Sequence, residues 1–193
     1  MRKHINYLLI LTSIVLFASC KKESSDLPQT VPGENKVKME YISGLGAPDL
    51  SPATSSKIGK PVEMNWQFKN MKGETVLLSD FKGKVIFLNL WATWCPPCKA
   101  ELPSVEKLMG LADKEVVFLL VSNETQDEVK SFFQPIDSSL PAFTAEGEYP
   151  ADFVTQGIPA TYIIDKKGNL AAFHLGSAQW DDGSVVNFLN SLK

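Results

Sequence analysis

The 193 residues are 44% hydrophobic and 21% charged, a balance that suits one globular domain with some additional chain. A formal charge of -3 argues against nucleic acid as the main partner, and there is no internal repeat and no long block of one sign. Of three cysteines, one ends an apolar leader and two form a CxxC, which leaves a single dithiol to an exported domain.

At the N-terminus, Arg2 and Lys3 precede an apolar run from Leu8 to Phe17 that is too short to span a membrane comfortably and reads as an export signal. The run ends in Phe17-Ala18-Ser19-Cys20, which resembles the lipobox of bacterial lipoproteins. Residues 1–19 are therefore expected to be a signal peptide, and Cys20 the lipid-bearing first residue of the mature chain. An ordinary secretory signal or a signal anchor is the alternative, and each of these places the domain outside the cytoplasm. Residues 20–60 are rich in Ser, Pro, Gly and Lys, with one short extended piece at Val37 to Ile42, and are expected to form a flexible tether.

The folded domain is assigned to residues 61–193. Val62 to Phe68 alternates apolar and polar residues and, with a turn at residues 71–74, predicts a hairpin. Val85-Ile86-Phe87-Leu88-Asn89-Leu90-Trp91 predicts a strand buried on both faces. A helix from Pro96 to Ala112 follows, with Pro103 inside it, then a buried strand at Val116 to Ser122 and a polar helix at Gln126 to Phe133. A short helix is expected near Tyr149 to Thr155, then a hairpin formed by Thr161 to Ile164, a turn at residues 166–169, and Leu170 to Leu175. A last helix runs from Asp182 to Leu192. Strands alternating with helices give the class α/β.

Cys95-Pro96-Pro97-Cys98 falls where the buried strand turns into a helix. Residues three apart share a helix face, so the two sulfurs can close a disulfide across one turn. Cys95 at the helix start meets free N–H groups and the positive end of the helix dipole, which favour a thiolate and mark it as the attacking sulfur. Cys98, one turn inward, is the resolving sulfur. A structural disulfide would close too small a loop to stabilise much. Zinc would need ligands beyond the dithiol, and the domain has no further cysteine and only His174, so neither metal nor cofactor is expected. Pro96 and Pro97 lack N–H groups, so two donors that could stabilise a Cys95 thiolate are missing and a reducing couple is expected.

These segments resemble the thioredoxin superfamily, and more closely its membrane-tethered TlpA/ResA-like thiol-disulfide oxidoreductases. The resemblance is carried by residues 78–84, by residues 89–98, by Pro103, and by Gly157-Ile158-Pro159-Ala160-Thr161. It implies a thioredoxin-like fold: a central mixed sheet flanked by helices on both faces, with an N-terminal β-hairpin and a strand-helix insertion. It assigns Pro159 to a cis-proline facing the disulfide, with Ile158 presenting its backbone to an extended substrate; the residues alone indicate only a turn. Trp94 and Pro96 join this expected substrate surface, whereas Trp91 reads as core.

Cytosolic thioredoxins have a buried aspartate where this chain has Asn89, which cannot take a proton. The resemblance assigns a proton-accepting role to Glu101, on the helix side shared with Val105, Leu108 and Ala112. Without it, Glu101 reads as a solvated helix residue. The function implied is a monomeric reductant of extracytoplasmic protein disulfides, facing the periplasm in a Gram-negative cell. Its relatives suggest cytochrome c maturation and a membrane dithiol as electron donor. The alternatives are a thioredoxin-fold peroxidase, for which Thr93 supplies one element, and a copper- or haem-handling lipoprotein using Met109 or His174.

Overall fold

A computed structural model describes residues 36–193 apart from residues 43 and 146. Its strands are β1 (Gln67–Asn70), β2 (Thr75–Leu77), β3 (Val85–Leu90), β4 (Val116–Ser122), β5 (Ala142–Ala145), β6 (Ala160–Ile164) and β7 (Leu170–Leu175). The helices are α1 (Pro96–Leu111), α2 (Gln126–Phe133) and α3 (Gly183–Ser191). The strands form one mixed sheet in the order β2-β1-β5-β4-β3-β6-β7. β3 lies parallel to β4 with Val85 opposite Val116, and antiparallel to β6 with Ile86 opposite Ile164.

Every residue of β3 is buried, because alternate side chains enter cores on the two faces of the sheet. Val85 and Phe87 join Cys98, Leu102, Val105 and Leu108 of α1, Val129 of α2, and Val185 and Leu189 of α3. Ile86, Leu88 and Leu90 join Trp66, Phe68, Leu78, Phe153 and Tyr162 on the other face. All three α-helices thus contribute to the first core, and the second is covered by 3-10 turns at Leu78–Phe81 and Ala151–Phe153 with the chain leading into β1. This differs from the helices on both faces that the resemblance implied. The expected helix near Tyr149 is the second of those turns, whose Phe153 stacks on Trp66 at 4.8 Å between ring centroids.

The expected first hairpin strand differs as well. Val62 and Trp66 are buried and Glu63 and Asn65 exposed, as the alternation predicts, yet the ladder starts only at Gln67. Alternation sets which side chains face the core in any extended chain, whereas a strand also needs a neighbour along its length. The opposite case is β5, short and not anticipated, which pairs parallel with β4 and antiparallel with β1 and so ties the hairpin into the sheet.

Residues 36–60, which the sequence places in the tether, lie along the domain. Val37 exchanges backbone hydrogen bonds with Pro135 and Asp137, Gln179 N–H donates to the Gly46 carbonyl, and Gly59 and Lys60 bond Leu170. Met39 and Leu50 pack against the first core and Ile58 against the second. Isolated apolar residues in a polar segment have no period to betray them. Residues 20–35 of the expected tether, the signal peptide and Cys20 lie outside the described residues.

Candidate active site

β3 delivers the chain to the site, and Trp91 continues it by donating to the Val121 carbonyl of β4 at 3.1 Å. The loop to α1 is then fixed by one carboxylate. Thr93 donates its backbone N–H to Glu124 Oε2 at 2.7 Å and its hydroxyl to Oε1 at 2.5 Å, and Ser122 donates to Oε2 at 2.8 Å. Cys95 is the N-cap of α1, with Pro96 and Pro97 filling the first two helical positions, where a missing N–H breaks no helical bond.

Cys95 and Cys98 form a disulfide across the first turn, with Cα atoms 5.3 Å apart. Cys95 keeps 3% exposure and Cys98 none, so a partner sulfur can approach only from the Cys95 side. With both prolines lacking donors, the N–H at Cys95 Sγ is that of Cys98, at 3.3 Å. The Ile158 carbonyl oxygen lies 3.8 Å from the same sulfur, and the Ile158–Pro159 bond is cis. Trp94 stands 66% exposed beside the disulfide and Pro96 is exposed, while Trp91 is fully buried against Phe132 and Phe133. The structure thus brings Trp94, Pro96, Ile158 and Pro159 together around Cys95.

Glu101 is fully buried on the inner side of α1. Its Oε1 accepts from Asn89 Nδ2 at 2.9 Å; its Oε2 accepts from Trp180 Nε1 at 2.7 Å and from the Ala178 backbone at 3.1 Å. Burial pushes its carboxyl up to about 7, while the bonds from Trp180, Asn89 and Ala178 pull it back toward the ordinary value. Asn89 also donates to Thr161 Oγ1 at 2.9 Å. Ser104 supports the same loop, accepting from Trp180 N–H and donating to the Ala178 carbonyl.

Sequence reasoning missed Glu124, Trp180, Ala178 and Thr161 as members of this site. Their separations of 31 to 79 residues from Thr93 and Glu101 leave no local pattern, although a tryptophan just ahead of the acidic start of α3 was a visible hint. His174 is half-buried edge-on to Trp180, and burial lowers its pKa. Among the described residues no three His, Cys, Asp or Glu side chains gather where they could hold a metal ion.

A dithiol at a helix N-terminus, facing a cis-proline on a thioredoxin-like sheet, defines a thioredoxin-fold thiol-disulfide oxidoreductase. Residues 58–173 match the AhpC/TSA family. The ResA thiol-disulfide oxidoreductase of Halalkalibacterium halodurans is 31% identical over 133 residues, 67% of this chain and 74% of the relative. The thioredoxin-like protein YneN of Bacillus subtilis is 35% identical over 117 residues, 58% of this chain and 69% of that one. Among solved structures, a thiol-disulfide oxidoreductase of Bacteroides vulgatus superposes with a TM-score of 0.62 at 28% identity, covering 72% of this chain and all of that one. The exposed lipoprotein thioredoxin of Streptococcus pneumoniae gives a TM-score of 0.55 at 27% identity, over 66% of this chain and 98% of that one. The chain belongs to the AhpC/TSA family, among its ResA-like thiol-disulfide oxidoreductases.

Proposed function

We propose that this oxidoreductase works as a monomeric reductant of protein disulfides outside the cytoplasm, held to a membrane by lipid on Cys20 and recharged by a membrane dithiol donor. The observation that carries the direction is the single amide at Cys95 Sγ: a thiolate with one N–H donor is stabilised little, and a poorly stabilised reduced form makes a reducing couple.

In the reduced enzyme Cys95 attacks a substrate disulfide, and a mixed disulfide forms as one substrate sulfur leaves. Glu101 takes the proton of Cys98, whose thiolate then attacks Cys95 Sγ. The Cys95–Cys98 disulfide closes and the second substrate sulfur leaves with its electron pair, so two electrons pass from enzyme to substrate. Trp94 and the Ile158 backbone dock the extended substrate segment. Cytochrome precursors with paired cysteines are one substrate class of suitable chemistry. Peroxide reduction is less favoured, because Thr93, the residue that fitted that reading, has its hydroxyl committed to Glu124.

The test is substrate trapping together with a redox titration. Cys98→Ala should accumulate mixed disulfides through Cys95 with exported proteins, and the wild-type couple should lie at or below about -200 mV. Accumulation with Cys95→Ala instead, or a potential near about -120 mV, would overturn the assignment.

A further inference from the structure

Asn89 is fully buried in β3, six residues before Cys95, and its side chain holds an asymmetry. Nδ2 donates twice, to Glu101 Oε1 and to Thr161 Oγ1, each at 2.9 Å. Oδ1 of the same amide has no hydrogen-bond partner among the described residues. Buried polar atoms in native proteins are nearly always paired, so an orphaned acceptor beside a carboxylate requires an explanation.

The explanation lies in what each partner of Glu101 is able to do. Trp180 Nε1 and the Ala178 backbone N–H bind Oε2, and both groups can only donate. A proton on Oε2 would confront two fixed donors, so the protonated carboxyl must carry its hydrogen on Oε1, facing Asn89. There it needs an acceptor, and a primary amide is the one partner present that can supply either a donor or an acceptor.

We propose that Asn89 is the positioning residue for Glu101 in both of its protonation states. Nδ2 holds the carboxylate, and after a half-turn of the amide about its last side-chain bond, Oδ1 holds the carboxylic acid. The Thr161 hydroxyl, which both donates and accepts, follows the turn by donating to the same Oδ1. Either orientation leaves one amide group unpaired at the position now occupied by Oδ1, so the proton on Glu101 decides between them. Through Thr161 the turn is felt in β6, two residues after Pro159, which links the charge of Glu101 to the strand that carries the substrate-facing turn.

This inference rests on the reading of Glu101 as acceptor of the Cys98 proton. The titratable groups around the carboxylate are few. The two cysteines at the start of its own helix are tied in the disulfide and do not titrate, β3 and β6 present Asn89 and Thr161, which do not titrate, Asp181 next to Trp180 is paired with Lys107 of α1, and His174 of β7 lies edge-on to the Trp180 ring. No ion pair contributes to the position of its titration.

The experiment is a pH titration of isotope-labelled full-length protein in its disulfide form, followed by NMR at the Glu101 carboxyl and the Asn89 side-chain amide. Both signals should titrate with one midpoint near 7, and the Asn89 amide should stay flat in Glu101→Gln. In Asn89→Ala both bonds to Glu101 are lost, so the Glu101 midpoint should stay within about half a unit of the wild-type value, whereas loss of a bond made to the carboxylate alone would raise it by about one unit or more. Asn89 signals that stay flat while Glu101 titrates, or a midpoint raised by a unit or more in folded Asn89→Ala, would overturn the proposal. The wild-type titration decides the matter even where Asn89→Ala does not fold. A coupled titration alongside a release profile unchanged in Glu101→Gln would support the pairing while removing the proton-accepting reading beneath it.

Discussion

Glu101 is a carboxylate without solvent contact and without a cation at hand, held by three donors against the cost of burial. In the proposed mechanism this makes Glu101 a base that exchanges protons near neutrality, three residues along the helix from Cys98, whose own burial disfavours a thiolate once the disulfide is reduced. Glu101→Gln should slow release of substrate from Cys95 near pH 7, and the defect should shrink as pH rises and Cys98 ionises unaided; stopped-flow resolution of a mixed disulfide measures this. The same group shapes stability. In the unfolded chain it loses its proton near 4.5 and in the fold near 7, so between these values unfolding releases a proton. Its contribution is full below pH 4.5 and falls by about 3 kcal/mol as pH rises through 7. Urea unfolding of Glu101→Gln should lose that slope, and an unchanged slope would assign it to other groups. The two cysteines could be read from spacing alone, because the three-residue rule is local. The carboxylate could be placed on the correct helix side, but its donors come from β3 and from the loop before α3.

At the scale of elements, the junction of β3 and α1 fixes where the attacking sulfur stands. Two prolines start the helix, while Glu124, two residues beyond the end of β4, grips the loop at Thr93 with both carboxylate oxygens. Glu124→Ala would leave the Thr93 N–H and hydroxyl without their charged acceptor. It should lower unfolding free energy by about 1–3 kcal/mol in denaturant titrations, with faster hydrogen exchange at Thr93. Full retention of both would show that the loop is held by packing alone. The elements around this junction were largely legible: β4 and α2 have the predicted limits, and α1 stops one residue short of the prediction, at Leu111. Their signals are strong runs and local caps, such as Thr125 accepting from the Glu128 backbone while Glu128 accepts from Thr125. β5 escaped because four residues of mixed polarity become a strand only when β1 and β4 flank them.

For the whole molecule, the proposed arrangement would join a membrane, a length of chain and the domain. If Cys20 carries lipid, Cys20→Ser should release the protein from the membrane fraction and change its electrophoretic mobility. Persistence of both would overturn the lipid anchor. Among the described residues no helix is long and apolar enough to cross a membrane. Residues 36–60 would add no free reach to that arrangement, because they are bonded along the domain and Tyr41 is held by Asp181 and Gln179. The amino-acid sequence by itself determined the α/β class, the order of the main elements and the dithiol at a helix start, since each depends on residues within one turn or one strand. Only the tertiary structure decided that residues 36–60 pair along the domain, how β5 joins the sheet and which donors surround Glu101. Those features depend on pairing between segments far apart in the chain, which the local period of either segment does not specify.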